Sequence, residues 1–385
     1  MNTLLILSSL SQFISAQAAI SYLNSKEVSN KDNLHILLIN KYTSDQQKQL
    51  LEQKSKKFKI KIHDLTYLDK RDVGVISLNV LEKLKSLFLN LKSNYKYSEY
   101  LNIYIKDYIN NHIGIIDKIF IRKYYSSTEN ICLNAINNDT IYFIEDGTAD
   151  YFKKNFFSSF LNYKKDLYKL ILFFYIFLFT FNYKLSFKLS NLKKYKSIQH
   201  FSILKNKQTN EISQYYLECL KKYSDFEKKI EMKALIVGTV FHSYECMNVD
   251  QEIEVYNKLI SFIKNKFNLS SNNIYYKHHP RCDIEKLKKK KESLNCIVFE
   301  DDSEILVEEI LLKQENIEAV FSIESSSLLY AKNIFLVDQT YLLDIRKKRI
   351  KQFKNYLDKI NYYFENKKRI SQFGNYNVDI LELKN

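Results

Sequence analysis

The amino-acid sequence predicts an α/β protein built from two Rossmann-like, doubly wound domains that face each other across a cleft. Three observations predict it. The chain has 385 residues, 45% of them hydrophobic, more than one ordinary core accommodates, so two domains are expected. Apolar, β-prone runs alternate with polar helical segments, the pattern of a parallel sheet with helices on both faces. The alternation breaks over residues 158–196 and then starts again, which divides the chain into residues 1–209 and 210–385.

The first series opens with Leu4 to Leu7, an apolar run that reads as a buried strand. A Ser-rich turn follows, then a helix from about Ser11 to Leu23 with Phe13, Ala16, Ala19, Ile20 and Leu23 on one face. The same stretch contains Ala16-Gln17-Ala18, which mimics a secretory cleavage site. A secretory signal wants a positively charged start, and the first basic residue is Lys26, so strand and helix are the reading adopted. Leu34 to Asn40, Phe58 to Leu65, His112 to Ile121 and Thr140 to Glu145 read as further strands, separated by helices such as Ser44 to Lys57 and Val80 to Asn94. Residues 158–196 form an apolar helical insertion, and Asn210 to Lys229 a polar linker helix. The second series runs through a strand at Lys233 to Phe241, a helix at Asp250 to Phe267, strands at Asn273 to Arg281 and Leu294 to Asp302, a helix at Ser303 to Lys313, and strands at Glu318 to Ser327 and Asn333 to Asp338. Two such domains across a cleft make the glycosyltransferase B (GT-B) architecture. In open α/β sheets ligands sit outside the carboxyl ends of the strands, so functional residues are expected there.

The charge balance is 59 basic against 44 acidic residues, a net +15, which points to anionic partners. Heavy use of Lys, Asn, Ile and Tyr with only five glycines and one proline is what AT-rich coding produces, so no nucleic-acid partner is inferred. Five cysteines, Cys132, Cys219, Cys246, Cys282 and Cys296, lie far apart with no CxxC pair, which argues against a disulfide framework and a zinc site and fits a reducing cytoplasm.

Four motifs fall at expected strand ends. Glu145-Asp146-Gly147 follows Thr140 to Ile144 and sets an acid at a tight turn, where burial and like charge raise a pKa towards that of a general base. An ordinary Asp-Gly turn is the plain alternative. Lys277-His278-His279-Pro280-Arg281 holds the only proline and two of the seven histidines. Proline biases the preceding residue towards extended backbone, and an imidazole between two cations suits a phosphate leaving group. Ser325-Ser326-Ser327 stands between an apolar strand and a helix, where hydroxyls and free N–H groups suit an anion and an N-cap alike. Glu300 ends a strand beside the His-Pro strand, in position to accept ribose hydroxyls, although an exposed acidic turn explains it equally.

As a set, in this order, these residues resemble the bacterial sialyltransferases of GT-B architecture, above all the capsular polysialyltransferases and their lipooligosaccharide-modifying relatives. The acidic pair before glycine, the His-Pro dipeptide and the late serines are the shared marks; Ser8, Ser9, Gln12, Thr148, Tyr151, Lys277, Arg281 and Leu328 extend the likeness. The resemblance implies inverting, metal-independent transfer of sialic acid from CMP-sialic acid to a glycan hydroxyl, with no cofactor and no metal ligands. It implies Asp146 as base, with Glu145 the runner-up because subgroups differ. His279 would assist departure of CMP, Ser326 and Ser327 would bind its phosphate, and Glu300 would hold ribose or base. Residues 1–209 would bind the acceptor, on capsular polysaccharide or lipooligosaccharide, and residues 210–385 the CMP-sugar.

Within the insertion, the apolar run Leu170 to Phe181 is 12 residues long, short of the ~20 that span a membrane. Flanked by Lys164, Lys165, Lys169, Lys184 and Lys188, it fits either a buried helix or peripheral contact with the anionic cytoplasmic face of the inner membrane. Two other readings stay open: a GT-B transferase using a different nucleotide-activated acidic sugar, and a non-catalytic protein that binds membrane surfaces. The acceptor is open too, including a polyanionic one.

Overall fold

The computed structural model describes residues 2–26, 33–39, 45–66, 102–122, 127–136, 138, 140–145, 197–205, 208–209, 211–224, 226, 230–239, 248–279, 282, 284–299, 305–314, 316–323, 325–345 and 370–382. The described residues through Ser202 form one compact unit and those from Ile203 a second. The insertion expected at 158–196 and the helix expected at Val80 to Asn94 lie outside the described residues.

The first unit is a six-stranded sheet of β1 (Asn2–Leu7), β2 (Asn33–Leu38), β3 (Lys61–Asp64), β4 (Lys118–Arg122), β5 (Thr140–Ile144) and β6 (Ser197–His200), in the order β3-β2-β1-β4-β5-β6. Every pairing is parallel. This is the doubly wound order, with its switch point between β1 and β4. Leu4 to Leu7 have no exposed surface, as expected of a central strand covered on both faces. Helix α1 (Leu10–Lys26) buries all five residues of the expected stripe and Ile14, Gln17 and Ala18 besides; its alanines let it settle close to the sheet. Helix α2 (Asp45–Phe58) follows β2.

The strand expected from His112 to Ile121 starts late, after the end of a helix and a turn. Residues 102–112 are helical, and the strand begins only at Lys118. Ile105, Ile109 and Ile113 form a stripe of period four in the core. The helix stops where Ile113 and Gly114 both donate to the Ile109 carbonyl, Gly114 taking φ +84°, a left-handed geometry that glycine adopts without strain.

The second unit starts with a small antiparallel pair, β7 (Leu204–Lys205) and β8 (Gln208–Thr209), and a helix at Glu211–Tyr223. Its sheet comprises β9 (Ala234–Val237), β10 (Ile274–Lys277), β11 (Ile297–Val298), β12 (Ala319–Ser322), β13 (Gln339–Leu343) and β14 (Asp379–Leu381). The order β11-β10-β9-β12-β13-β14 repeats that of the first unit, again all parallel, with the switch point between β9 and β12. A long helix, Val249–Phe267, connects β9 to β10. Asn248 and Gln251 form a capping box at its start, and Asn268 closes it at φ 51°, the arrangement that satisfies orphan backbone groups at both ends.

The strand expected at Asn333 to Asp338 lies further on, at Gln339–Leu343. Residues 327–333 are helix; the apolar letters after it cover the helix end, where Ile334 and Phe335 both donate to the Tyr330 carbonyl. Leu336, at φ 54° and 75% exposed, turns the chain into the strand. The expected α/β fold with two doubly wound sheets is therefore present. Among the described residues no helix is long and apolar enough to cross a membrane.

Candidate functional site

The carboxyl ends of β9, β10 and β12 end level with one another. Lys277 pairs with Val237, and Val237 with Ser322. The Ser322 hydroxyl donates to the Val237 carbonyl at 2.8 Å, and the Gly238 N–H donates to the Lys277 carbonyl at 2.8 Å. Three segments thus leave the sheet side by side at its switch point, where an open α/β sheet receives its ligand: Gly238-Thr239, His278-His279 and the serine triplet.

The two histidines differ. His278 is 4% exposed and its Nδ1 is buried without a partner. Burial, together with the charges of Lys277, Lys290 and Lys291, pushes its pKa down to about 3, so it is a neutral imidazole that cannot readily take a proton. His279 is half-buried, and its carbonyl accepts the N–H of Cys282 at 2.8 Å. Of the pair, His279 is the one with surface open to a ligand. Lys277 is buried. Pro280, Arg281 and Glu300 lie outside the described residues.

The serines divide as well. Ser325 and Ser326 are half-buried and Ser327 is buried. Ser327 begins the short helix Ser327–Asn333, and Ser326 caps it without a side-chain bond. The Ser327 N–H donates to Ser325 Oγ at 3.2 Å, while the Ser327 hydroxyl donates to Glu308 Oε1 at 3.0 Å. Glu308, in the helix Val307–Lys313, is itself buried, which raises its carboxyl above the usual range.

In the first unit, Glu145 directly follows β5 and is 3% exposed; the last strand pair before it is Arg122 with Ile144. Asp146 and Gly147 lie outside the described residues. Among the described residues no three His, Cys, Asp or Glu side chains gather as a metal site would require.

Sequence reasoning missed the support beneath the site. Lys290, on the helix Ile284–Ser293, and Glu252, on Val249–Phe267, have no exposed side-chain surface and pair at 2.6 Å. Lys290 also donates to the Tyr276 hydroxyl at 3.2 Å, which donates in turn to Tyr256. The Tyr256 hydroxyl accepts the Thr239 N–H at 3.4 Å. A buried chain of polar contacts therefore runs from two helices to the end of β9. Gly238 is its tightest point: a Cβ there would lie 2.4 Å from the Tyr276 hydroxyl. One of only five glycines, placed directly after an apolar strand, was the available signal.

The family described as alpha-2,8-polysialyltransferase (POLYST) matches residues 3–344. No curated protein matches the chain. Solved structures similar to it include the UDP-GlcNAc 2-epimerase of Methanocaldococcus jannaschii, at 12% identity and TM-score 0.45 over 95% of this chain and 92% of that one. The alpha/beta-galactoside alpha-2,3-sialyltransferase of Photobacterium phosphoreum follows, at 13% and 0.41 over 98% and 97%. The GT-B domain of the Photobacterium damselae sialyltransferase has 12% and 0.41 over 99% and 100%.

Proposed function

The chain belongs to the alpha-2,8-polysialyltransferase family, and from that premise we propose that it is an inverting, metal-independent enzyme. It moves sialic acid from CMP-sialic acid to a hydroxyl of a glycan, capsular polysaccharide or lipooligosaccharide. The observation that carries the reading is the span of the match: residues 3–344 contain the acidic pair, the His-Pro dipeptide and the serine triplet together.

In this reading Asp146, with Glu145 behind it, takes the proton of the acceptor hydroxyl as its oxygen bonds to the anomeric carbon. The bond from that carbon to the phosphate oxygen of CMP breaks in the same step, which inverts the centre. His279 donates to the departing phosphate, and Arg281 and the serine turn stabilise its charge, while Lys277, buried at the end of β10, acts on it through its charge rather than by contact. Gly147 lets the acidic turn form, Pro280 holds His279, and Glu300 accepts the ribose hydroxyls. Residues 1–209 bind the acceptor and residues 210–385 bind the donor. The enzyme works in the cytoplasm, and the lysine-flanked apolar run Leu170 to Phe181 suits a buried helix and contact with the anionic inner face of the membrane equally.

The test is incubation of the purified protein with CMP-sialic acid and a panel of lactosyl and oligosialyl acceptors, with and without EDTA, followed by mass analysis. The expected product carries one or more added sialyl residues in both conditions. Product formed only with another nucleotide sugar would overturn the donor. Loss in EDTA that a divalent ion restores would overturn the metal-free mechanism.

A further inference from the structure

The serine triplet places three hydroxyls in one turn, and the resemblance implies Ser326 and Ser327 as the phosphate ligands. Their hydrogen bonds divide them differently. Ser327 spends its hydroxyl proton inward on Glu308 Oε1 at 3.0 Å, and both residues are buried. Ser325 Oγ receives the Ser327 N–H at 3.2 Å on a lone pair, so its own proton stays free to donate. Ser326, half-buried, has no side-chain partner among the described residues. An anion needs donors. Two of the three hydroxyls have a proton to give at the surface of the turn, and the third does not.

Glu308 would be a poor neighbour for a phosphate if it were charged. Among the described residues it has no cationic partner. Its neighbour Glu309 is engaged at the start of its own helix, where Oε2 accepts the Leu306 N–H at 2.8 Å. Burial and the charge of Glu309 both favour the uncharged form of Glu308, so its service to the site is to hold Ser327 rather than to meet the ligand.

We infer that Ser325 and Ser326 contact the donor phosphate, and that Ser327 and Glu308 are positioning residues that lock the turn from beneath. This rests on the reading that the turn binds the phosphate of a cytidine nucleotide. It differs from that reading in removing Ser327 from the ligand.

The test is CMP binding by calorimetry on the full chain, with initial rates alongside. Ser326→Ala is expected to weaken CMP binding about tenfold or more, the effect of losing a hydrogen bond to a charged group. Ser327→Ala and Glu308→Ala are each expected to weaken it less, about three- to fivefold, and the double variant no more than the worse single one, because both break one contact. Glu308→Gln keeps an acceptor for the Ser327 hydroxyl and is expected to recover most of what Glu308→Ala loses, a rescue that general destabilisation would not give. Additive losses, or a Ser327→Ala loss equal to that of Ser326→Ala, would overturn the inference while leaving the nucleotide site standing. Should Glu308→Ala fail to fold, the ranking of Ser326→Ala, Ser327→Ala and Glu308→Gln still decides it. A wild-type protein that binds no CMP would overturn the functional reading and this inference together.

Discussion

Gly238→Ala adds one methyl group at the end of β9, and the surroundings determine what it costs. The new Cβ would lie 2.4 Å from the Tyr276 hydroxyl, 2.8 Å from Tyr276 Cζ and 3.1 Å from the Lys277 carbonyl oxygen, where an unstrained contact is about 3.5 Å or more. Backbone cannot move far, because the Gly238 N–H is bonded to that same Lys277 carbonyl at 2.8 Å. The Tyr276 ring cannot swing aside either. It is fully buried, and its hydroxyl is fixed by Lys290, which is held by Glu252 at 2.6 Å. Overpacking a core of this kind costs ~1–3 kcal/mol, and with three short contacts the upper end applies. Urea unfolding followed by far-ultraviolet circular dichroism, apt for a chain without tryptophan, should show the midpoint lowered by on the order of 1 M. Adding Tyr276→Phe removes the shortest contact, so the double variant should lose less than the sum of the two single losses, with a coupling of at least ~0.5 kcal/mol. A Gly238→Ala midpoint indistinguishable from wild type, or strict additivity with Tyr276→Phe, would refute the close approach.

Breaking the buried Lys290–Glu252 pair by Lys290→Met should destabilise the protein by ~3–5 kcal/mol, while Lys290→Met with Glu252→Leu should restore much of it, since no lone charge stays buried; equilibrium unfolding of the three proteins checks the order. Stability should fall in acid: burial and neighbouring charges push His63 down to about 4 from 6.5, so the unfolded chain takes up a proton that the folded one refuses. Its contribution is intact above pH ~6.5 and is lost as pH falls towards ~4; His63→Gln should make the profile shallower over that range, and parallel curves would refute it. His279→Ala should lower transfer by ~2–4 kcal/mol in activation energy and be partly rescued by donors whose leaving group needs no proton, whereas Asp146→Ala should not be; equal losses with every donor would show the roles misassigned.

How much of this was legible depends on whether the determining contact is local. Central strands such as Leu4 to Leu7 announce themselves because both faces are covered, so every residue is apolar. The misread segments, 112–121 and 333–338, are apolar runs in which a helix ends and a strand begins. There one glycine at φ +84° and one leucine at φ 54° settle the boundary, and composition averages over them. The placement of His279 and the serine triplet beyond neighbouring strand ends was legible, because each motif is a contiguous run that directly follows an apolar strand. The inward bond of Ser327 was not, because its partner Glu308 lies nineteen positions away.

The buried ion pair lies between these cases. Lys290 belongs to the run Lys288 to Lys291, which by composition reads as a solvated surface. By position it does not, since Leu287 and Leu294, three residues before and four after, are both core residues, so Lys290 falls on the apolar stripe of its helix. Glu252 likewise precedes the core residues Val255, Tyr256 and Leu259 at spacings of three, four and seven. Each helix thus carries one charge at a position that periodicity reserves for an apolar side chain, and the two charges have opposite sign. A buried charge persists only if it is paired, so two such violations of the pattern in neighbouring helices predict each other. The lysine run hid the pair from a reading by composition, and the helical period would have exposed it.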